Sequence, residues 1–190
     1  MPRITLRNAK LGKPGKDDAQ TLLDLVKALA LYEKAPRAVK ARVADLRRHG
    51  SGKKKVFEAI IAELDGRPAG FALFFHNFST WTGKPGLYLE DLFVHEWARG
   101  HGIGRKLMAR CARIAKQRGC GRLDLWVLHW NPTRAFYHRL GINHMKDWLP
   151  YRADAKGIER LARGNDIRYS EMKLSTKNPK SSPINWRNSK

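Results

Sequence analysis

A strand that runs into a glycine-rich turn and then into a helix is the feature that most constrains this fold. Residues 87–94 are mostly apolar and predict a strand, and the segment Arg-Gly-His-Gly-Ile-Gly follows at 99–104. Residues 102–118 then carry apolar side chains at helical spacing. Glycines let the backbone approach a ligand, and the first amides of a helix have no partners within it. The unit therefore predicts an anion site suited to a pyrophosphate.

Two common phosphate-binding loops do not fit this spacing. A P-loop ends in Gly-Lys-Ser or Gly-Lys-Thr, whereas Gly104 is followed by Arg-Lys-Leu. A dinucleotide-binding fingerprint places its glycines directly after the strand, whereas here five residues, 95–99, come first. Arg99, Arg105 and Lys106 still supply positive charge for an anionic ligand.

The rest of the chain predicts an α/β fold with a mixed sheet and helices on both sides. Strands are predicted at 4–6, 56–64, 70–78, 87–94, 123–128 and 148–152, and helices at 17–32, 37–48, 102–118, 133–140 and 155–162. The turn at 65–68 predicts an antiparallel hairpin, and the unit 87–128 is long enough for a parallel crossover. We expect one domain at 1–174 and a flexible basic tail at 175–190.

The composition of the chain indicates where the protein is located and which metal or disulfide chemistry it can have. No run approaches about 18 apolar residues, so a membrane span is not expected. The N-terminus lacks the apolar core of a secretion signal, which predicts a cytoplasmic protein. Cys111 and Cys120 have neither a CxxC partner nor a histidine cluster nearby. We expect buried free thiols and no metal site.

The formal net charge of +21 is unusually high. A basic protein of this kind often binds nucleic acid. The cations are spread along the chain, however, and only four of the 38 lie in the tail. We interpret the charge as a general property of the surface and keep nucleic-acid contact as the alternative.

Several segments around the glycine loop are similar to the GNAT superfamily of N-acetyltransferases. Arg99, Gly102 and Gly104 fill its signature, Gln/Arg-x-x-Gly-x-Gly/Ala. Tyr-Leu-Glu-Asp-Leu-Phe-Val at 88–94 and Val-Leu-His-Trp-Asn-Pro-Thr-Arg-Ala-Phe-Tyr at 127–137 resemble its diamine and thialysine acetyltransferase branch. Further matches are 31–33, 79–83, 147–148 and 151–152. The resemblance runs from about residue 4 to residue 162 and leaves out the tail.

The resemblance implies a mostly antiparallel central sheet with a splayed parallel strand pair that holds acetyl-CoA. Backbone groups of Leu92, Phe93 and Val94 would bind the pantetheine, and the Val94 amide would bind the carbonyl oxygen that becomes an oxyanion. The pyrophosphate would lie against Arg99, Gly100, His101, Gly102, Ile103, Gly104 and Arg105. Asn131, Arg134 and Tyr137 would contact the rest of the donor.

Two residues are candidates for acid–base catalysis. An alkyl amine with a pKa of about 10.4 must lose a proton before it attacks, and Glu90 is the candidate base, acting through a water. Strand alternation predicts that Glu90 points to the opposite sheet face from Leu89 and Asp91. The alternative is a solvent-facing carboxylate. Tyr137 is the candidate acid for the departing thiolate, and the alternative is an aromatic packed beside Phe136.

The resemblance also implies a pocket for the amine. Acids would hold the cation, and aromatic faces would add cation–π attraction. The residues are Tyr32, Glu33, Trp81, Glu90, Asp91, Asp147 and Trp148. Two alternatives stay open, since the tryptophans are also plausible core residues and Asp91 a plausible structural partner for an arginine. His129 occupies a position where similar proteins carry an acid, which leaves the charge balance near the amine pocket open. Ser79 occupies a position where polyamine-specific members carry an acid, which favours a lysine-like or smaller amine over spermidine.

The sequence therefore predicts direct acetyl transfer from acetyl-CoA to a primary amine of a small substrate, lysine-like or a diamine. The resemblance also implies a homodimer. Two alternatives remain: a protein or N-terminal amine acetyltransferase, and a basic protein of the same fold that binds RNA or ribosomes.

Overall fold

The computed structural model describes residues 2–164, so the predicted boundary at 174/175 and the tail lie outside the described residues. The chain divides into two compact units, Met1–Ala135 and Phe136–Lys190. The sheet and the first three helices belong to the first unit.

One sheet forms the centre of the first unit, with strands in the order β1-β2-β3-β4-β5. The strands are β1 (Ile4–Asn8), β2 (Glu58–Leu64), β3 (Arg67–Ser79), β4 (Lys84–Val94) and β5 (Arg122–Leu125). The described helices are α1 (Ala19–Tyr32), α2 (Val43–Gly50), α3 (Ile103–Gln117), α4 (Arg134–Arg139) and α5 (Ala155–Arg163), and a 3-10 turn lies at Glu96–Ala98. The first three strand pairs are antiparallel, whereas β4 and β5 are parallel. This confirms the predicted mixed, mostly antiparallel sheet.

Helices cover both faces of the sheet, as predicted. On one face, Leu22 and Leu25 of α1 join Ile61, Phe71 and Phe93 in one buried cluster. Neighbouring strand residues point to opposite faces, so residues 60 and 74 face the other way. On that side α3 packs against β2, β3 and β4. The apolar stripe of α3 that the sequence predicts is buried there.

The two cysteines lie at different depths. Cys111 is buried within α3, and burial raises the pKa of its thiol to about 12. Cys120 is half-buried just after α3. Both are free thiols, so the expected burial holds fully only for Cys111.

The parallel strands stay paired for a short distance only. β5 pairs with β4 from Gly86 to Leu89, and β5 ends at Leu125 instead of the predicted residue 128. β4 continues for five more residues to Val94. The edge of β4 over residues 90–94 therefore has no β5 partner, which is the splayed arrangement that the resemblance implies.

Two other predicted elements need correction. α2 begins at Val43 and not at residue 37, because the Asp45 carboxylate accepts the Arg42 N–H at 2.9 Å and anchors the first turn there. The strand predicted at 148–152 is wrong, since these residues form no strand. Pro150 has no N–H to donate, and Leu149 and Tyr151 are 73% and 87% exposed.

None of the helices described within residues 2–164 has the length and apolar character of a membrane span.

Candidate active site

A β-bulge interrupts β4 at the acidic pair. Leu73 of β3 pairs with Asp91, but Phe74 pairs with Leu89, so Glu90 is an extra residue without a cross-strand partner. Cross-strand partners share a face, and Leu73 belongs to the cluster under α1. Asp91 therefore faces α1, whereas Leu89 faces α3. The prediction that Leu89 and Asp91 share one face is wrong, because the bulge breaks the alternation on which it rested.

Asp91 lies in the field of two other carboxylates, Glu90 beside it in the chain and Glu33 at the C-cap of α1, the helix that it faces. The pKa of Asp91 is raised to about 7, first by burial and then by the charges of Glu90 and Glu33. Burial also raises the pKa of Glu33. We call Glu33, Glu90 and Asp91 the acid cluster.

Nothing in the local backbone offsets the negative charge of the acid cluster. The C-terminal end of a helix carries partial negative charge, and Glu33 lies at that end of α1. None of the described salt bridges involves Glu33, Glu90 or Asp91. The arrangement therefore suits a cationic ligand, and it does not support the alternative in which Asp91 pairs with an arginine.

The unpaired edge of β4 lies next to this cluster and offers backbone groups to a ligand. The His95 N–H donates to the Ala69 carbonyl of the β3 side at 2.8 Å. Because backbone groups alternate in direction along a strand, the Val94 N–H points to the open edge. The Arg99 Nε reaches the carbonyl of Val94 at 3.2 Å. Arg99 thereby fixes the end of β4 while the Val94 amide stays directed at the open edge.

The glycine loop after β4 has the backbone that an anion site requires. Gly100 and Gly102 have φ of 83° and 76°, in the left-handed region that favours glycine. Gly102 is the N-cap of α3, and the first α-helical bond runs from the Lys106 N–H to its carbonyl. The amides of residues 103–105 therefore have no acceptor within the helix. A Cβ at either glycine would meet nothing within 4 Å, so the loop is open to a ligand.

Tyr32 connects the predicted donor-binding residues to one another. Its hydroxyl donates to Asn131 Oδ1 at 3.2 Å, and its ring lies 6.4 Å from the Phe93 ring. The Arg99 guanidinium lies over the Tyr32 ring, 4.7 Å from its centre. The resemblance placed Tyr32 in the amine pocket, but these three contacts are to residues predicted to bind acetyl-CoA.

Asn131 and Arg134 are held by local contacts in the segment after β5. Asn131 is buried, and its Oδ1 also accepts from the Thr133 N–H at 3.0 Å and hydroxyl at 2.8 Å. Because Oδ1 is saturated, the side-chain NH₂ of Asn131 is the group left for a ligand. Arg134 donates to the His129 carbonyl at 3.1 Å.

Gly70 is a site residue that the sequence analysis did not identify. It pairs with Val94, and a Cβ at this position would lie 2.4 Å from the Phe93 carbonyl oxygen. Only glycine lets β3 approach the end of β4 this closely. The available signal was a glycine inside a strand pattern, which often marks a close backbone approach.

Four of the predicted site residues remain to be described. Trp81 is in the turn before β4, 69% exposed, and about 20 Å of strand separates Lys84 from Glu90. The other three, Tyr137, Asp147 and Trp148, belong to the second unit. Within that unit, the Tyr137 ring lies 5.3 Å from the Phe136 ring, and the Trp148 N–H donates to the Met145 carbonyl.

Comparison with known proteins agrees with this geometry. Residues 22–142 match the Acetyltransferase (GNAT) family, so the chain belongs to that family and is an N-acetyltransferase. GNAT enzymes use acetyl-CoA as the acetyl donor.

The similar proteins include enzymes that act on small amines. The chain is 33% identical to thialysine N-epsilon-acetyltransferase of Sus scrofa, covering 85% of this chain and 99% of that protein. It is 32% identical to spermidine/spermine N(1)-acetyltransferase-like protein 1 of Homo sapiens, covering 85% of this chain and 24% of that protein. The structure of an integron cassette protein from V. cholerae superposes with a TM-score of 0.65 at 29% identity, covering 84% of this chain and 98% of that one.

Proposed function

We propose that this enzyme transfers the acetyl group of acetyl-CoA directly to the terminal primary amine of a lysine-like or diamine substrate. The observation that carries the proposal is the acid cluster beside the open edge of β4. Strand β4 therefore carries both acids that can bind a cation, Glu90 and Asp91, and the backbone edge that can bind a thioester. The thialysine acetyltransferase name of the relatives supports the same substrate class.

The open edge and the glycine loop fit the two ends of the donor. Acetyl-CoA supplies an acetyl thioester. The amides of Leu92 and Val94 hold the pantetheine and the acetyl oxygen, where preorganised N–H donors stabilise developing negative charge. The amides at 103–105 and the Arg99 and Arg105 side chains hold the pyrophosphate. Tyr32 positions Arg99 and Asn131 through the contacts described above.

The acid cluster binds the ammonium form of the substrate and then removes its proton. A base works best when its pKa lies near the working pH, and the pKa of Asp91 is about 7. The proton of the amine passes to the pair formed by Glu90 and Asp91. Glu90 is the member of this pair that the sequence predicts as the base. The neutral nitrogen bonds to the acetyl carbon, and the carbon–sulfur bond breaks. Tyr137 gives a proton to the departing sulfur, and the extra proton on the new amide nitrogen passes through water to the Tyr137 phenolate.

The proposal also includes a homodimeric assembly and a cytoplasmic location. A homodimer follows from the family resemblance alone. A cytoplasmic location follows from the composition of the sequence.

A panel of amines tests the proposal. Release of free CoA thiol would be measured with thialysine, lysine, ornithine, putrescine, spermidine, norspermidine and a basic peptide. We expect the highest kcat/KM with thialysine, lysine or a short diamine. The variants Glu90→Gln and Asp91→Asn should each have a lower turnover rate. The variant that removes the base should be slower by on the order of 100-fold. Preference for the peptide, or unchanged turnover in both variants, would contradict the proposal.

A further inference from the structure

The charged side chains on the solvent face of α3 are all basic. Its exposed or half-buried long side chains are Arg105, Lys106, Arg110, Arg113 and Lys116, followed by Gln117. The helix contains no acid, and its large apolar residues all face the sheet. We call Lys106, Arg110, Arg113 and Lys116 the basic ladder. Its steps are four, three and three residues, so each member is the helical neighbour of the next.

The charge of the basic ladder has no internal counterion. Within residues 2–164, none of its members forms a salt bridge, although Arg118 just beyond the helix pairs with Glu58. Like charges at these spacings repel and weaken a helix. Other arginines do have internal counterions, since Arg7, Arg42, Arg47 and Arg118 each pair with an acid. An external anion is the partner that would relieve this repulsion.

The ladder ends in a depression that is itself basic. A cavity of about 380 Å³ is lined by Lys84, Lys116 and Arg122 together with small or apolar residues, and no carboxylate lines it. Arg122 pairs with Asp124 at 2.8 Å, but neither Lys84 nor Lys116 has an ion pair among the described residues. The glycines at 119 and 121 and the alanine at 112 let a bulky anion approach closely.

The residues between the cations indicate which polyanion fits. A helix that binds a membrane surface needs large apolar or aromatic side chains on its exposed face, and α3 presents only Ala109 and Ala112 there. Single-stranded nucleic acid is bound with aromatic stacking platforms, which this face also lacks. A row of cations with only small residues between them fits the regularly spaced phosphates of a rigid duplex.

We propose that the basic ladder and its adjoining depression bind the phosphate backbone of double-stranded nucleic acid without sequence preference. Lys106 lies at the start of α3 beside the predicted pyrophosphate site, whereas Arg110, Arg113 and Lys116 lie farther along the helix, since Lys116 is about 20 Å from Ile103. Binding centred on these three residues therefore leaves the acetyl-CoA site accessible. The proposal does not depend on the amine that the enzyme acetylates.

A charge-matched pair of variants tests the proposal. Fluorescence anisotropy would measure binding of the full chain to 20-base-pair duplexes of DNA and RNA between 50 and 200 mM KCl. The test variant is Arg110→Gln/Arg113→Gln/Lys116→Gln. The control, Lys13→Gln/Lys53→Gln/Lys54→Gln, removes the same charge from exposed loops. The single variant Arg113→Gln keeps the test available if the triple variant melts early.

The expected result is a selective loss. The test variant should bind about tenfold or more weakly, and its slope of log affinity against log salt should be shallower by about 2.7, at 0.9 per lost phosphate contact. The control should bind like the wild type, and the test variant should keep amine turnover. Equal losses in both variants would overturn the proposal. So would displacement of the duplex by acetyl-CoA, absence of duplex binding, or binding only to anionic vesicles of phosphatidylserine and phosphatidylcholine.

Discussion

Replacing Asp91 by asparagine should stabilise the protein while it damages the enzyme. The pKa of Asp91 is about 7 in the folded chain because of burial, Glu90 and Glu33, whereas an unfolded aspartate has a pKa of about 3.9. Between these two values the folded state holds the proton and the unfolded state does not. The free energy of unfolding therefore falls as pH rises from about 4 to about 7 because of this group.

The magnitude follows from the same two values. A difference of about 3 pKa units at 1.36 kcal/mol each corresponds to about 4 kcal/mol of destabilisation above pH 7. Asp91→Asn keeps the shape and removes the charge. At pH 8 we expect the variant to be more stable by up to about 4 kcal/mol, and near pH 4 we expect the difference to vanish.

Urea unfolding of the wild type and the variant at pH 4, 6 and 8 would measure this difference. Asp24→Asn, at an exposed position on α1, is the control and should change stability by no more than about 0.5 kcal/mol at any of these pH values. The kcat/KM of Asp91→Asn should meanwhile fall. A variant that is less stable than the wild type at pH 8, or a pH-independent difference, would refute the electrostatic argument.

Three further changes test other parts of the structure. Gly70→Ala places a Cβ 2.4 Å from the Phe93 carbonyl oxygen and should displace the end of β4. In a thiol-release assay we expect kcat/KM to fall by on the order of 100-fold. Unchanged kinetics would argue against a donor site at this edge. Tyr32→Phe removes the hydrogen bond to Asn131, worth about 1 kcal/mol, and should raise the KM for acetyl-CoA about fivefold with kcat retained. Phe71→Ala empties a fully buried position and should cost about 3 to 5 kcal/mol in urea unfolding.

The sequence predicts the sheet well where local patterns carry the information. Strands β2 to β4 are mostly apolar runs bounded by turn residues, and α3 has an apolar stripe with a glycine at its start, so their existence and type follow from the sequence. The strand predicted at 148–152 is wrong because a local pattern was not enough there. A few apolar residues around a proline resemble a strand, but a strand forms only where a neighbouring strand pairs with it.

The arrangement of the acid cluster was not predictable from local patterns. Alternation places Leu89 and Asp91 on one face, and only the register between β3 and β4 reveals that Glu90 is an extra residue. The role of Tyr32 is hidden for a similar reason. Its contact with Asn131 joins residues 99 positions apart, which no local pattern encodes.

Amide hydrogen exchange with and without acetyl-CoA tests the central claim that the open edge of β4 and the glycine loop hold the donor. The account predicts increased protection of the amides of Leu92 and Val94 and of residues 100–105, with little change in β1 and α2. Protection confined to other segments, or no change at saturating acetyl-CoA, would contradict it.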